Sequence, residues 1–127
     1  MNSSSVDLQH HDGIPVARLV GEVDLTRAPG IRVGLLRAVT NQDHGLVLDL
    51  RDTTYLDSAG INVIFELAER LSARQQRLAA VVPDRAIIER VLELVNMRSI
   101  LESHRSLEAA IGSIRALGPG ADGLAHR

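Results

Sequence analysis

Apolar residues in this chain come in short runs whose spacing changes from run to run, with Gly, Pro, Asp and Asn between them. From Val6 the chain reaches a turn at Asp12-Gly13, and from Ile14 to Val20 apolar residues alternate loosely around Pro15 and Arg18. This pattern predicts two short antiparallel strands, and Pro15, which lacks an N–H for a ladder, suggests an edge position. Gly21-Glu22-Val23-Asp24 closes the unit. Ile31, Leu35, Leu36 and Val39 then share one helical face, predicting a helix from near Thr26 or Ala28 to about Val39. Thr26 or Asp24 is placed to cap it, and Pro29 suits a first turn. Gly30 and Gly34 weaken it by up to about 1 kcal/mol each relative to Ala.

Asn41 to Gly45 reads as a turn. Leu46-Val47-Leu48-Asp49-Leu50 is short, apolar and β-favouring, the pattern of a central strand buried on both faces. The clearest helix follows, with Ile61, Ile64, Phe65, Ala68 and Leu71 at helical spacing and Asn62, Glu66, Glu69 and Arg70 left for solvent. It ends near Arg74. Leu78 to Val82 predicts a second buried strand, stopped by Pro83-Asp84, and Ile87, Ile88, Val91, Leu92 and Val95 mark a helix over Arg85 to Leu94. Ser99-Ile100-Leu101-Glu102 suggests a short last strand. Ser106 to Leu117 forms a final helix, with Leu107, Ala110, Ile111 and Ile114 facing inward. Gly118-Pro119-Gly120 ends the fold, giving one domain over residues 1–117 and a flexible tail over 118–127.

This alternation of strands and helices is of the α/β class, with right-handed helical crossovers. Functional loops in such folds gather at the carboxyl ends of the strands. Val20 to Asp24 and Leu50 to Asp57 both follow strands and precede helices, so two acidic loops are expected side by side.

Composition narrows the chemistry. The 127 residues are 45% hydrophobic, enough for one domain with a substantial core. Tyr55 and Phe65 are the only aromatic residues, so stacking platforms for bases or sugars are absent. The absence of Cys excludes disulfides, thiol catalysis and Cys-based zinc sites, and fits an intracellular setting. All 14 basic residues are Arg, which removes Schiff-base chemistry and a P-loop lysine. A net charge of −2 gives no electrostatic reason to bind nucleic acid. Met1 to Ser5 lacks the pattern of a signal peptide, and no apolar run approaches the roughly 20 residues needed to span a membrane. A soluble cytoplasmic protein is expected, with no membrane partner.

The chemistry-bearing residues concentrate at Asp57-Ser58-Ala59-Gly60, where the loop after the central strand enters the clearest helix. A helix N-terminus offers free N–H groups and a partial positive charge, so a phosphate on Ser58 would sit there at low electrostatic cost. The plain alternative for Ser58 is a helix N-cap worth about 1 kcal/mol. Asp57 either stabilises the helix start or helps to present Ser58. Ala59-Gly60 leaves backbone open to close approach, either by a partner or by the sheet. Glu22 and Asp24 are by default solvated carboxylates, and no His or Lys stands where it would complete a catalytic or metal site, so no cofactor or metal is expected. His10, His11, His44, His104 and His126 are scattered and read as surface residues, as do Arg85, Arg90 and Arg98. Thr53 and Thr54 are secondary phospho-acceptor candidates, better explained as turn residues satisfying backbone groups.

Over Val6 to Leu117 the chain resembles STAS domains, specifically bacterial anti-sigma-factor antagonists of the SpoIIAA type. The resemblance is carried by Gly21-Glu22-Val23-Asp24, the Leu46–Leu50 strand, Asp57-Ser58-Ala59-Gly60-Ile61, and the Leu78–Val82 strand with the helix after it. It implies a mixed sheet of four to five strands with helices mainly on one side. It also implies that Ser58 is a regulatory phospho-acceptor and that Asp24, Thr26, Tyr55, Asp57, Ser58, Ala59, Gly60 and Asn62 form a partner-binding surface. Ala59 replaces a Ser frequent in the family, which removes a competing acceptor. Pro29 and Gly30 depart from the family's more regular first helix. The implied function is partner switching: the unphosphorylated protein binds an anti-sigma factor that is also a serine kinase, phosphorylation releases it, and a phosphatase resets it. No catalysis by the domain itself is implied, and self-association into a homodimer stays open. A STAS module of another signalling complex, or one binding a small ligand, is the alternative. A receiver-like domain phosphorylated on Asp would require a lysine that this chain lacks.

Overall fold

The computed structural model describes residues 6–83, 87–97 and 100–117. The early alternation becomes a hairpin: β1 (Val6–His11) runs antiparallel to β2 (Ile14–Leu19), with His11 opposite Ile14. Asp12 and Gly13 close it with φ of +56° and +80°, the left-handed pair a two-residue hairpin turn demands. From β2 onward the sheet is parallel. Its order is β1-β2-β4-β6-β7, with β4 spanning Gly45–Asp49, β6 Arg77–Val81 and β7 Glu102–His104. The central position expected for the Leu46–Leu50 run is where β4 lies.

Four helices cover the sheet: α1 (Ala28–Ala38), α2 (Ser58–Ala73), α3 (Ile87–Leu94) and α4 (Leu107–Arg115). Strand periodicity divides their work, because successive side chains point to opposite faces. Leu19, Leu48 and Ala80 face one way and join Ile31 and Leu35 of α1, Ile64, Leu67 and Leu71 of α2, and Ile88 and Leu92 of α3 in the main core. Val16, Val47, Ala79 and Val81 face the other way, against Ala110, Ile111 and Ile114 of α4. Three helices thus share one face and one covers the other, which matches the helices mainly on one side that the STAS resemblance implies.

Three sequence expectations need correction. Pro15 does not mark an edge, since β2 lies between β1 and β4. It precedes Val16, the first residue paired with β4, so its missing N–H interrupts no bond on that side. The last strand is Glu102–His104, beyond the apolar Ile100-Leu101. Ile100 and Leu101 instead turn back on Met97, whose carbonyl accepts both of their N–H groups, and Leu101 and Met97 are buried from that turn. Finally, the two acidic loops contain strands of their own, β3 (Gly21–Val23) and β5 (Thr53–Leu56), paired in a separate two-stranded sheet. The helix start expected at Arg85, the strand start at Ser99, Arg98 and the tail over 118–127 lie outside the described residues.

At the end of β4, Asp49 is 2% exposed and holds the next turn. Its carboxylate accepts the Arg51 backbone N–H at 3.1 Å and the guanidinium at 3.0 and 2.8 Å. Burial pushes this carboxyl up, but the hydrogen bonds from Arg51 outweigh it and hold the group below the usual carboxylate range. A depressed folded value means that ionised Asp49 stabilises the fold above the unfolded pKa, and that this contribution is lost as pH falls through the folded one. Asp49→Asn should therefore lower the urea midpoint at neutral pH, with the gap to wild type shrinking on acidification below about pH 4. A gap that widens in acid would contradict this. Leu48→Ala, in the main core, should cost about 2–5 kcal/mol in the same measurement.

Candidate functional site

The site is built on β3 and β5. They run parallel with Gly21 opposite Thr53, Glu22 opposite Tyr55 and Val23 opposite Leu56, and a shift in register between Gly21 and Glu22 leaves Thr54 without a facing partner. The two loops expected to be neighbours are thus hydrogen-bonded to one another. Gly21, at φ +85°, donates its N–H to the Asp52 carbonyl. Thr53 is buried, and its hydroxyl donates to the Leu19 carbonyl at 2.8 Å, tying β5 to the main sheet. That bond bears out the reading of Thr53 as a residue that satisfies a backbone group, although Thr53 and Thr54 lie on β5 and not in a turn. On the outer side of β3, the Arg27 guanidinium donates to the carbonyls of Glu22 at 2.9 Å and Val20 at 3.4 Å.

Where β3 and β5 end, one carboxylate joins their two continuations. Asp57 is the N-cap of α2, and its Oδ1 accepts the Gly60 N–H at 3.1 Å. Its Oδ2 accepts the Leu25 N–H at 3.0 Å, from the loop after β3. The Asp57 N–H in turn donates to the Val23 carbonyl at 3.2 Å. The capping role considered for Ser58 therefore belongs to Asp57. Ser58 is the first residue of the helix, exposed, and its hydroxyl bonds to no described residue.

Gly60 shows why a residue without a Cβ is needed here. A Cβ would stand 2.5 Å from the Val23 carbonyl oxygen and 2.9 Å from Val23 Cγ1. Of the two explanations for Ala59-Gly60, close packing of the helix start against β3 is the one seen. Gly60 is buried and Ala59 half-buried, so they set the position of the surface more than they form it. The cap expected from Asp24 or Thr26 is not formed, because Arg27 is the N-cap of α1 and no side chain caps it; Asp24 instead holds the turn before the helix. Its Oδ1 accepts the Arg27 N–H at 3.1 Å, and its carbonyl accepts the Ala28 N–H at 2.8 Å. Thr26 is exposed and caps nothing.

Together these bonds bring Asp24, Thr26, Asp57 and Ser58 to one end of the small sheet. Tyr55, 48% exposed, stands on β5 behind them, and Asn62 is exposed on α2. Leu25 joins them at 75% exposure, and the sequence reading passed over it. Its only signal was an isolated apolar residue between two polar ones in a capping turn. Further along, Arg32 on α1 grips Glu66 on α2 through Nε at 2.8 Å and Nη2 at 2.5 Å. These hydrogen bonds hold the Glu66 carboxyl below its usual range and fix the two helices behind the site. Among the described residues, no three His, Cys, Asp or Glu side chains gather to hold a metal, and no helix is long and apolar enough to cross a membrane.

The sequence profile of the STAS domain matches residues 5–110. The chain belongs to the STAS domain family. An anti-sigma-F factor antagonist of Mycobacterium tuberculosis, RsfB, is 24% identical to this STAS domain over 114 residues, which make up 90% of this chain and 92% of that protein. The crystal structure of an anti-sigma factor antagonist from Mycobacterium paratuberculosis superposes with a TM-score of 0.73 at 23% identity, covering 87% of this chain and 92% of that one. The Bacillus cell fate determinant SpoIIAA in its phosphorylated form superposes with a TM-score of 0.63 at 19% identity, covering 86% and 98%. At these identities the structures establish the fold that the STAS domain shares with them.

Two substitutions test the local architecture. Asp57→Ala should cost about 0.5–2 kcal/mol through the lost cap, and should speed hydrogen exchange at the Leu25 and Gly60 amides together. Acceleration at Gly60 alone would mean that the carboxylate does not join the two loops. Gly60→Ala should destabilise by about 1–3 kcal/mol, read from urea unfolding, because the added methyl meets backbone rather than a movable side chain.

Proposed function

We propose that this STAS domain is an anti-sigma-factor antagonist that works by partner switching, with Ser58 as its phosphorylation site. The unmodified chain binds an anti-sigma factor that is also a serine kinase, and so frees a sigma factor. Transfer of phosphate to Ser58 ends the complex, and a phosphatase restores the binding form. The domain acts in the cytoplasm as a regulatory binding protein and kinase substrate, and catalyses nothing itself. The observation that carries this reading is the Ser58 hydroxyl, exposed at the first position of a 16-residue helix while Asp57 does the capping. The names of the relatives support it, as does the phosphorylated form in which SpoIIAA has been solved.

The physics of release is local. A phosphate adds about −1.5 to −2 charges at neutral pH. In the free domain the helix N-terminus and surrounding water accommodate that charge. In a complex the same charge is desolvated beside Asp57 and close to the Asp24 turn, where repulsion and the cost of dehydration oppose binding. The contact surface comprises Asp24, Leu25, Thr26, Tyr55, Asp57, Ser58 and Asn62, with Ala59 and Gly60 behind it. No change of shape in the domain is required.

Incubation with the cognate kinase and ATP should place one phosphate on the peptide containing Ser58, located by fragmentation mass spectrometry. Ser58→Ala should bind the partner constitutively, and Ser58→Asp should bind at least roughly tenfold more weakly. Phosphate on Thr54 with Ser58 unmodified would overturn the site assignment.

A further inference from the structure

We propose that the outer edge of β1 is a self-association surface, through which two copies of the chain pair antiparallel into one continuous sheet. β1 is the outer strand of the five-stranded sheet, and it pairs with β2 residue by residue over its whole length without a bulge. In a hairpin closed by a two-residue turn, His11, Gln9 and Asp7 bond to β2, so Leu8 and His10 direct their N–H and C=O groups outward. No described residue pairs with those groups. Asp7, Leu8, Gln9 and His10 are exposed, and apart from the Asp7 charge β1 lacks the usual guards of a free edge: no Lys, no Pro, no bulge and no helix or loop across its outer edge among the described residues. At the far side of the sheet β7 is only three residues long, a protected edge by its brevity.

Symmetry and chemistry select the register. A two-fold axis perpendicular to the sheet keeps each face continuous, so only residues of like parity can stand opposite one another. Centring the axis on Gln9 places Leu8 opposite His10 of the second copy in the hydrogen-bonded pairs, and Gln9 opposite its own counterpart in the closer, non-hydrogen-bonded pair. It also places Asp7 opposite His11 of the second copy, twice over. The Asp7 carboxylate is 47% exposed and held from its own side by Arg18, so it keeps acceptor capacity for an imidazole N–H. His11 donates its Nε2–H to the Gln9 side-chain oxygen at 3.1 Å, an exposed bond that the imidazole exchanges for the Asp7 carboxylate of the second copy. Centring on Leu8 instead would set Asp7 against Gln9 and leave both imidazoles without an acidic partner. An edge contact this short buries less than a standard interface, so the dimer is weak and concentration-dependent. The surface is distinct from the Ser58 site, and its test does not depend on that reading.

The chain has no cysteine, so a single introduced thiol reports the register cleanly. Under mild oxidation Gln9→Cys should form a covalent dimer faster than Leu94→Cys, an exposed control on α3, because facing residues of a non-hydrogen-bonded pair lie within disulfide reach. Adding Leu8→Pro to Gln9→Cys should abolish the advantage: proline is tolerated where the edge N–H faces solvent, yet it removes a pairing bond from each copy. In sedimentation velocity the wild type should show concentration-dependent dimer, and Leu8→Pro alone, folded by circular dichroism, should weaken it by roughly tenfold or more. A wild type monomeric at every concentration would overturn the proposal. So would a dimer that Leu8→Pro leaves intact, or Gln9→Cys oxidising no faster than Leu94→Cys.

Discussion

A single carboxylate holds the Ser58 end of this STAS domain together. Asp57 caps α2 through Gly60 and, with its other oxygen, receives the Leu25 N–H from the loop after β3. The segments it joins are separated by more than thirty residues of chain, including α1 and β4. A hydrogen bond to an ionised acceptor is stronger than a neutral one, and a bridge to two backbone donors also fixes geometry. The Val23 carbonyl closes the arrangement by accepting the Asp57 N–H and standing where any Cβ on Gly60 would fall. The placement of Ser58 follows from this bridge.

The consequence is a hydroxyl released from structural duty. Had Ser58 been the cap, its oxygen would have been engaged with the helix backbone, and modifying it would have disturbed the start of α2. With Asp57 in that role, Ser58 sits one residue further on, exposed and unbonded among the described residues. A charge added there meets a favourable helix dipole in the free domain and two acidic turns in a complex. In the proposed cycle the domain therefore stays folded in both states, and only its affinity for the partner changes. The main core, built on β4 and α2, includes Val23 and Leu56 and so anchors this end of the small sheet by packing.

Much of this was legible in the residue order. The strand at Leu46–Leu50, the helix after it, the hairpin at Asp12-Gly13 and the adjacency of the two acidic loops all follow from periodicity and turn chemistry. What the pattern concealed has particular causes. β3 and β5 are short and carry Glu22 and Thr54 within them, with a shift of register, so neither presents the alternation that marks a strand. Asp and Ser are about equally good caps, and only the geometry of the following turn decides which of Asp57 and Ser58 takes the position. Leu25 was overlooked because an isolated apolar residue carries no period. Ile100 and Leu101 misled for the opposite reason, being apolar through burial in a turn.

The central claim, that the charge on one exposed hydroxyl decides binding, is tested most directly by calorimetric titration. The anti-sigma partner is titrated with the unmodified chain, and then with the same chain phosphorylated stoichiometrically at Ser58. The account predicts binding by the unmodified form and an affinity lower by at least roughly tenfold for the phosphorylated one, with matching circular dichroism for both. Equal affinity of the two forms would contradict it.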